Sequence, residues 1–192
     1  MSIFDYIRRK WRAKGHGVHS PFAFHLIRNV IHSPHEYYAF SDIEKTLSDE
    51  VLRNKSAMVF HRLSFRLVHH FKTKNVLEIN AKDNINVKFI EATNKEVRCT
   101  SVKNETTFDD SQNKKFDAIF IYANDDEMPT IKTLFSMSHN DTFWVVRSIK
   151  SKSGKRFWKK IVDNERVRVT FDVAETGIVF LQPSHHKLNY FI

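Results

Sequence analysis

Apolar positions change their spacing near residue 74. Before it they recur every three or four residues; after it they gather in short runs separated by helical stretches. In the first third, Phe22, Leu26, Ile27, Val30 and Ile31 share a helical face, with Ser20 placed as N-cap and Pro21 as first helical residue. Ser33-Pro34-His35-Glu36 and Ser41-Asp42-Ile43-Glu44 have the Ser-x-x-Glu capping-box form, which predicts further helix starts. A longer helix is predicted over 56–71, with Val59, Leu63, Leu67, Val68 and Phe71 inward. Residues 1–14 read as a basic amphipathic helix. Ile3, Phe4, Ile7 and Trp11 form its stripe, Arg8, Arg9, Lys10, Arg12 and Lys14 its remainder, and Gly15 its stop.

After residue 74, strands are predicted over 76–79, 97–102, 116–122, 142–146, 167–173 and 178–181. The run 116–122 is nearly all apolar, as expected for a strand buried on both faces. Helices are predicted between them: over 84–93 with Ile85, Phe89 and Ile90 buried, from Pro129 with Ile131, Leu134 and Phe135 on one side, and over 153–162 with Phe157, Trp158, Ile161 and Val162 at core spacing. The last two strands lie too close for a crossover helix, so they form an antiparallel hairpin through 174–177, adding an antiparallel strand at one edge. The pattern predicts an α/β fold: a doubly wound, mostly parallel sheet with a C-terminal hairpin, residues 74–192, and a helical N-terminal cap, residues 1–73, in one compact unit.

Composition narrows the function classes. The chain has 192 residues, 41% hydrophobic and 13% aromatic, with only 4 Gly and 4 Pro, which favours a packed core over disorder or long linkers. It lacks a run of about 18 apolar residues and a secretory h-region. The single Cys99 excludes an internal disulfide, and a reducing cytoplasm is the expected location. A net charge of +9 favours anionic partners: nucleic acid, a phosphate-bearing molecule, acidic headgroups or an acidic protein.

The 11 histidines do not form a ligand pattern. His69-His70 and His185-His186 are adjacent pairs that point apart, and His16 and His19 flank a glycine turn. No metal site is expected, and no catalytic residue is assigned; Ser20 after His19 reads as a cap. The stretch 147–156 is the most distinctive positive feature. Arg147, Lys150, Lys152, Lys155 and Arg156 follow a strand's carboxyl end and enter a helix, where an anion can bind. Phe157 and Trp158 either add a stacking surface or belong to the core.

Four segments carry a family resemblance: Gly15-His16-Gly17-Val18-His19-Ser20-Pro21-Phe22, Leu63-Ser64-Phe65-Arg66-Leu67-Val68, Val76-Leu77-Glu78-Ile79 and residues 170–180. Together they resemble class I S-adenosylmethionine-dependent methyltransferases, and within them a bacterial O-methyltransferase-like family marked by Gly-His-Gly-x-His-Ser-Pro-Phe. The resemblance implies S-adenosylmethionine as cofactor, held at positions matching Glu78, Asn80, Asn84, Lys103 and Tyr122. Glu78 matches the family. Asn80 and Asn84 stand at glycine positions, Lys103 where an acid would hold the ribose, Tyr122 where Asp is usual, and Arg147-Ser148 where paired acids are usual. Only residues 103–115 separate the second and third strands, against about 30 or more residues for a full βαβ unit. The sheet is therefore expected to be shortened there, leaving an edge open to self-association.

Three functions compete. The leading one is a degenerate methyltransferase homologue, a pseudoenzyme with weakened or lost cofactor binding and a binding or scaffold role. The second is an active enzyme with a divergent pocket, using Asp125, Asp126 or a histidine as base. The third is a nucleic-acid or membrane-surface binder using residues 1–14 and 147–156.

Overall fold

A computed structural model of the chain describes residues 17–103, 114–123 and 128–192. The predicted helix over 1–14 and the candidate bases Asp125 and Asp126 lie outside the described residues. The chain divides into two compact units. Of the described residues, one holds 17–72 with 84–97 and the last two; the other holds 73–83 and those of 98–190.

The helical unit contains α1 (Pro21–Leu26), α2 (Tyr38–Glu44), α3 (Asp49–Arg53), α4 (Lys55–His70) and α5 (Ile85–Glu91). Ser20 caps α1 as expected, its hydroxyl accepting the Ala23 N–H, with Pro21 in the first turn. The helix continues as a π-helical turn, Ile27–Ile31, whose Val30 and Ile31 carbonyls accept from the Arg66 guanidinium at 2.7 and 3.1 Å. Neither capping box operates. Ser41 lies inside α2, which starts at Tyr38, and no helix starts after Ser33. Helix α4 lies within one residue of its predicted span, with Asn54 as N-cap accepting from the Ala57 N–H. Leu63, Leu67 and Val68 are buried as predicted, but Val59 is 64% exposed and Phe71 is only half-buried at the C-cap. Met58, Phe60 and Phe65 take the inward stripe instead, so the buried face is rotated from the predicted one. Phe40, Met58, Phe65 and Phe89 form a buried cluster in this unit.

The second unit is a seven-stranded sheet: β1 (Asn75–Ile79), β2 (Arg98–Val102), β3 (Phe116–Tyr122), β4 (Ser138–Arg147), β5 (Val169–Val173), β6 (Thr176–Phe180) and β7 (Leu188–Phe191). Their order is β2-β1-β3-β4-β6-β5-β7. Strands β2, β1, β3 and β4 pair in parallel, and β6 runs antiparallel to β4 and β5. The doubly wound, mostly parallel sheet with a closing hairpin is therefore present, and among the described residues β2 and β7 are its edges. The hairpin sits differently from expectation. Its antiparallel strand β6 is interior, between β4 and β5, and Ala174-Glu175 makes the turn, Ala174 at φ 53°. Strand β7 was not predicted; it lies beyond β5, where Tyr190 stacks on Phe171 with centroids 5.0 Å apart.

Two more helices belong to this unit, α6 (Ile131–Ser136) and α7 (Lys152–Asp163). Pro129 does not open α6; Thr130 is its N-cap, accepting the Thr133 N–H at 3.1 Å. Leu134 and Phe135 of α6 and Phe157 and Ile161 of α7 pack with one face of the strands, among Leu77, Ile119, Ile121, Trp144 and Val179. This burial supplies most of the driving force, at about 25 cal/mol per Å² of apolar surface. Asp117 ties the start of β1 to β3. Burial would raise its pKa, but the Asn75 and Lys74 N–H groups, both at 2.8 Å, and the His139 ring outweigh that and lower it.

Helix α7 begins directly over a tight turn. Ser148 is left-handed (φ 64°), its carbonyl accepts the Ser151 N–H, and Ser151 caps α7 through the Gly154 N–H. A Cβ at Gly154 would collide with the Ser148 carbonyl oxygen. Replacing a helical glycine by alanine normally gains ~1 kcal/mol. Here overpacking against backbone, typically about 1–3 kcal/mol, outweighs it. Gly154→Ala is therefore expected to lower the thermal midpoint; a raised midpoint would show that the contact yields.

Candidate functional site

An open α/β sheet binds ligands outside the carboxyl ends of its strands, where strand order reverses. Here that point lies between β1 and β3, since β2 lies on the other side of β1. Glu78, fully buried in β1, is central to it. It stands in register with Ser101 on β2 and Phe120 on β3. Side chains alternate along a strand, so Ser101, Phe120 and Tyr122 share the Glu78 face. The Ser101 hydroxyl donates to Glu78 Oε2 at 3.1 Å, and the Tyr122 hydroxyl donates to Oε1 at 3.0 Å. One carboxyl group thus links β2, β1 and β3 across the switch point. Two hydroxyl donors on two oxygens suit an ionised carboxyl group, which only accepts.

The phenol is held protonated. Burial raises the Tyr122 pKa most, the charge and hydrogen bond of Glu78 add to it, and Asp83 adds further; Arg147 opposes them. Arg147, at the end of β4, has its own pKa lowered by burial, with Tyr122, Glu175 and Asp83 acting the other way. Tyr122 and Arg147 therefore meet electrostatically at this edge.

The turn after β1 keeps a glycine-like shape without glycine. Asn80 has φ 64°, and its N–H donates to the Val102 carbonyl at 2.9 Å. Asn is the residue that best tolerates this left-handed region after glycine. Asn84 differs: at φ −100° it is an ordinary N-cap position, without a side-chain cap bond, before α5. Lys103 directly follows β2, and both it and Lys82 are exposed.

The basic residues of 147–156 do not converge. Arg147 sits half-buried beside Tyr122, and the Lys150 ammonium pairs with the buried Asp172 carboxylate at 2.9 and 3.2 Å. Lys152, Lys155 and Arg156 are exposed on the first turns of α7. Phe157 is core, and Trp158 is partly buried, its ring packed against the backbone at Gly177. Among the described residues, no group of three or more His, Cys, Asp or Glu side chains could hold a metal, and no helix is long and apolar enough to cross a membrane. Sequence reasoning singled out Glu78 and Tyr122 as matched positions but missed their bond. It also missed Ser101, whose signal was its register opposite Glu78.

No protein-family model matches the chain, and no curated protein matches it. Solved structures do. A candidate caffeoyl-CoA O-methyltransferase from Staphylococcus aureus superposes with a TM-score of 0.52 at 12% identity, over 74% of this chain and 96% of that one. The Podospora anserina methyltransferase PaMTH1, in its S-adenosylhomocysteine-bound structure, gives 0.55 at 9% identity, over 95% and 97%. The chain has a class I methyltransferase fold. At these identities the likeness is one of fold.

The left-handed turn at Asn80 is testable. Asn80→Gly is expected to change stability by no more than about 0.5 kcal/mol, while Asn80→Val is expected to cost about 1–2 kcal/mol, the price of a left-handed side-chain-bearing residue. Denaturant unfolding measures both; a harmless valine would show that the turn relaxes.

Proposed function

We propose that the chain is a degenerate methyltransferase homologue of the bacterial O-methyltransferase-like group, with S-adenosylmethionine binding weakened or lost and a binding role retained. The observation that carries this reading is the Tyr122–Glu78–Ser101 network at the switch point. A carboxyl group available to a cofactor would need its oxygens turned toward the crevice. Here each oxygen already accepts a hydroxyl from a neighbouring strand, which holds the group within the sheet and takes about half of its acceptor sites. The rest of the edge supports the same reading. A ribose needs an acceptor at the end of β2, and Lys103 has none to offer. An Asn side chain stands at Asn80, where a close cofactor approach favours glycine.

The residues present therefore fit S-adenosylmethionine poorly, and no methyl-transfer step is derived for them. An anionic partner suits the binding role, because Lys152, Lys155 and Arg156 present exposed cations on one short stretch. That partner is nucleic acid, a phosphate-bearing molecule or an acidic protein, and self-association at the β2 edge is a further route to assembly.

A ligand bound only by the folded state must raise stability. Thermal unfolding with S-adenosylmethionine and with S-adenosylhomocysteine at millimolar concentration is expected to leave the midpoint unchanged. A rise of several degrees with either would overturn the proposal and favour an active enzyme with a divergent pocket.

A further inference from the structure

A cavity of about 390 Å³ lies at the amino end of β4, lined by Phe135, Ser138, His139, Asn140, the 165–168 loop, Leu181 and Pro183. It is separated from the carboxyl edge by the whole ten-residue length of β4, roughly 30 Å of strand. We propose that this cavity binds a small organic anion: an apolar body carrying a terminal phosphate or carboxylate.

The volume is that of small-molecule sites, which run from about 300 to 1,000 Å³. Phe135, Leu181 and Pro183 give it an apolar wall. Two guanidinium groups supply the charge. Arg166 lies over the Phe135 ring, 3.8 Å from its centroid, a cation–π contact that holds the guanidinium beside the apolar wall. Arg168 donates through Nε to the His185 carbonyl at 2.8 Å, so its fork is also held in place. Among the described residues neither guanidinium pairs with a carboxylate. Two anchored, unpaired cations beside an apolar wall are what a carboxylate or phosphate recognises, through charge-assisted and potentially bidentate hydrogen bonds.

The other polar groups in the wall are consistent with an anion. His139 is committed elsewhere: its Nδ1 accepts the Asp141 N–H at 3.2 Å and its Nε2 bonds Asp117 at 3.1 Å. Ser138 is occupied as well, accepting from Trp144 Nε1 and donating to the Leu134 carbonyl. Among the lining residues Glu165 is the one carboxylate against two guanidinium groups, and the Asp117 carboxylate behind the wall is taken up by His139 and the Lys74 and Asn75 N–H groups. The exposed Asn140 adds an amide donor at the mouth.

This inference stands independently of cofactor loss, because none of its residues lies at the carboxyl edge. The test is calorimetric titration of the full-length protein with phenyl phosphate, 3-phenylpropionate, inorganic phosphate and neutral benzyl alcohol. Saturable binding of phenyl phosphate or phenylpropionate is expected, and whichever binds more tightly identifies the anion as phosphate or carboxylate. Arg166→Gln should weaken it by about tenfold, while Lys88→Gln on α5 should leave it unchanged. Amide shifts in the unsubstituted protein provide a second reading that needs no variant. They should move at Phe135, Arg166 and Leu181 and stay still at Asn80 and Ser148. Failure of both organic anions to bind, equal binding of benzyl alcohol, indifference to Arg166→Gln, or shifts confined to the carboxyl edge would each overturn the proposal.

Discussion

A carboxyl group inside a sheet must find donors or be expelled, and Glu78 finds them on both neighbouring strands. Burying an ionised carboxylate without partners costs far more than any single contact returns. Ser101 answers from β2 and Tyr122 from β3. Those bonds fix the relative positions of three strand ends, and the turn at Asn80 starts from that fixed point, tied to Val102 by its own N–H. Tyr122 can serve because burial and the same carboxyl group keep its phenol protonated. The constraint is therefore mutual: the acid needs the hydroxyl, and the acid's charge ensures that the hydroxyl keeps its proton.

The rest of the carboxyl edge is organised around internal pairing too. Lys150 is neutralised by Asp172, the Ile149 N–H donates to the Glu175 carbonyl, and Gly154 lets α7 press onto the Ser148 turn. The cations that stay exposed are Lys152, Lys155 and Arg156, further along the helix. At the other end of β4 the balance reverses. There Arg166 and Arg168 are anchored by a ring and a carbonyl, with no carboxylate pairing with them among the described residues. The surplus of basic residues is thus spread over chemically different places, and net charge alone could not tell them apart.

Much of the sheet was legible because buried parallel strands are short apolar runs, and 116–122 and 76–79 have no other sensible reading. The hairpin followed from the few residues between two such runs. Strand β7 was missed because Leu-Asn-Tyr-Phe is mostly exposed and carries no apolar run, and the polar first half of β4 was missed for the same reason. Local capping motifs misled at Ser33 and Ser41, where tertiary packing of Tyr37 and Phe40 sets the start of α2. At the site, positions were legible and partnerships were not. Tyr122 read as a missing acid, yet only the fold shows that it serves an acid on the adjacent strand, two residues out of register. Asn80 was anticipated as a left-handed residue, whereas Asn84 holds ordinary backbone geometry. Arg166 and Arg168 lie in a loop and at a strand start without a motif, so only the cavity draws attention to them.

The most direct measurement is a double-mutant cycle on Glu78→Gln and Tyr122→Phe by equilibrium unfolding. Removing the phenol hydroxyl alone should cost about 1–3 kcal/mol, because a buried acceptor loses a donor. If Glu78 and Tyr122 form one structural unit at the switch point, the two substitutions will couple by about 0.5–3 kcal/mol. Additivity to within about 0.3–0.5 kcal/mol would contradict it and leave the carboxyl group available to something else.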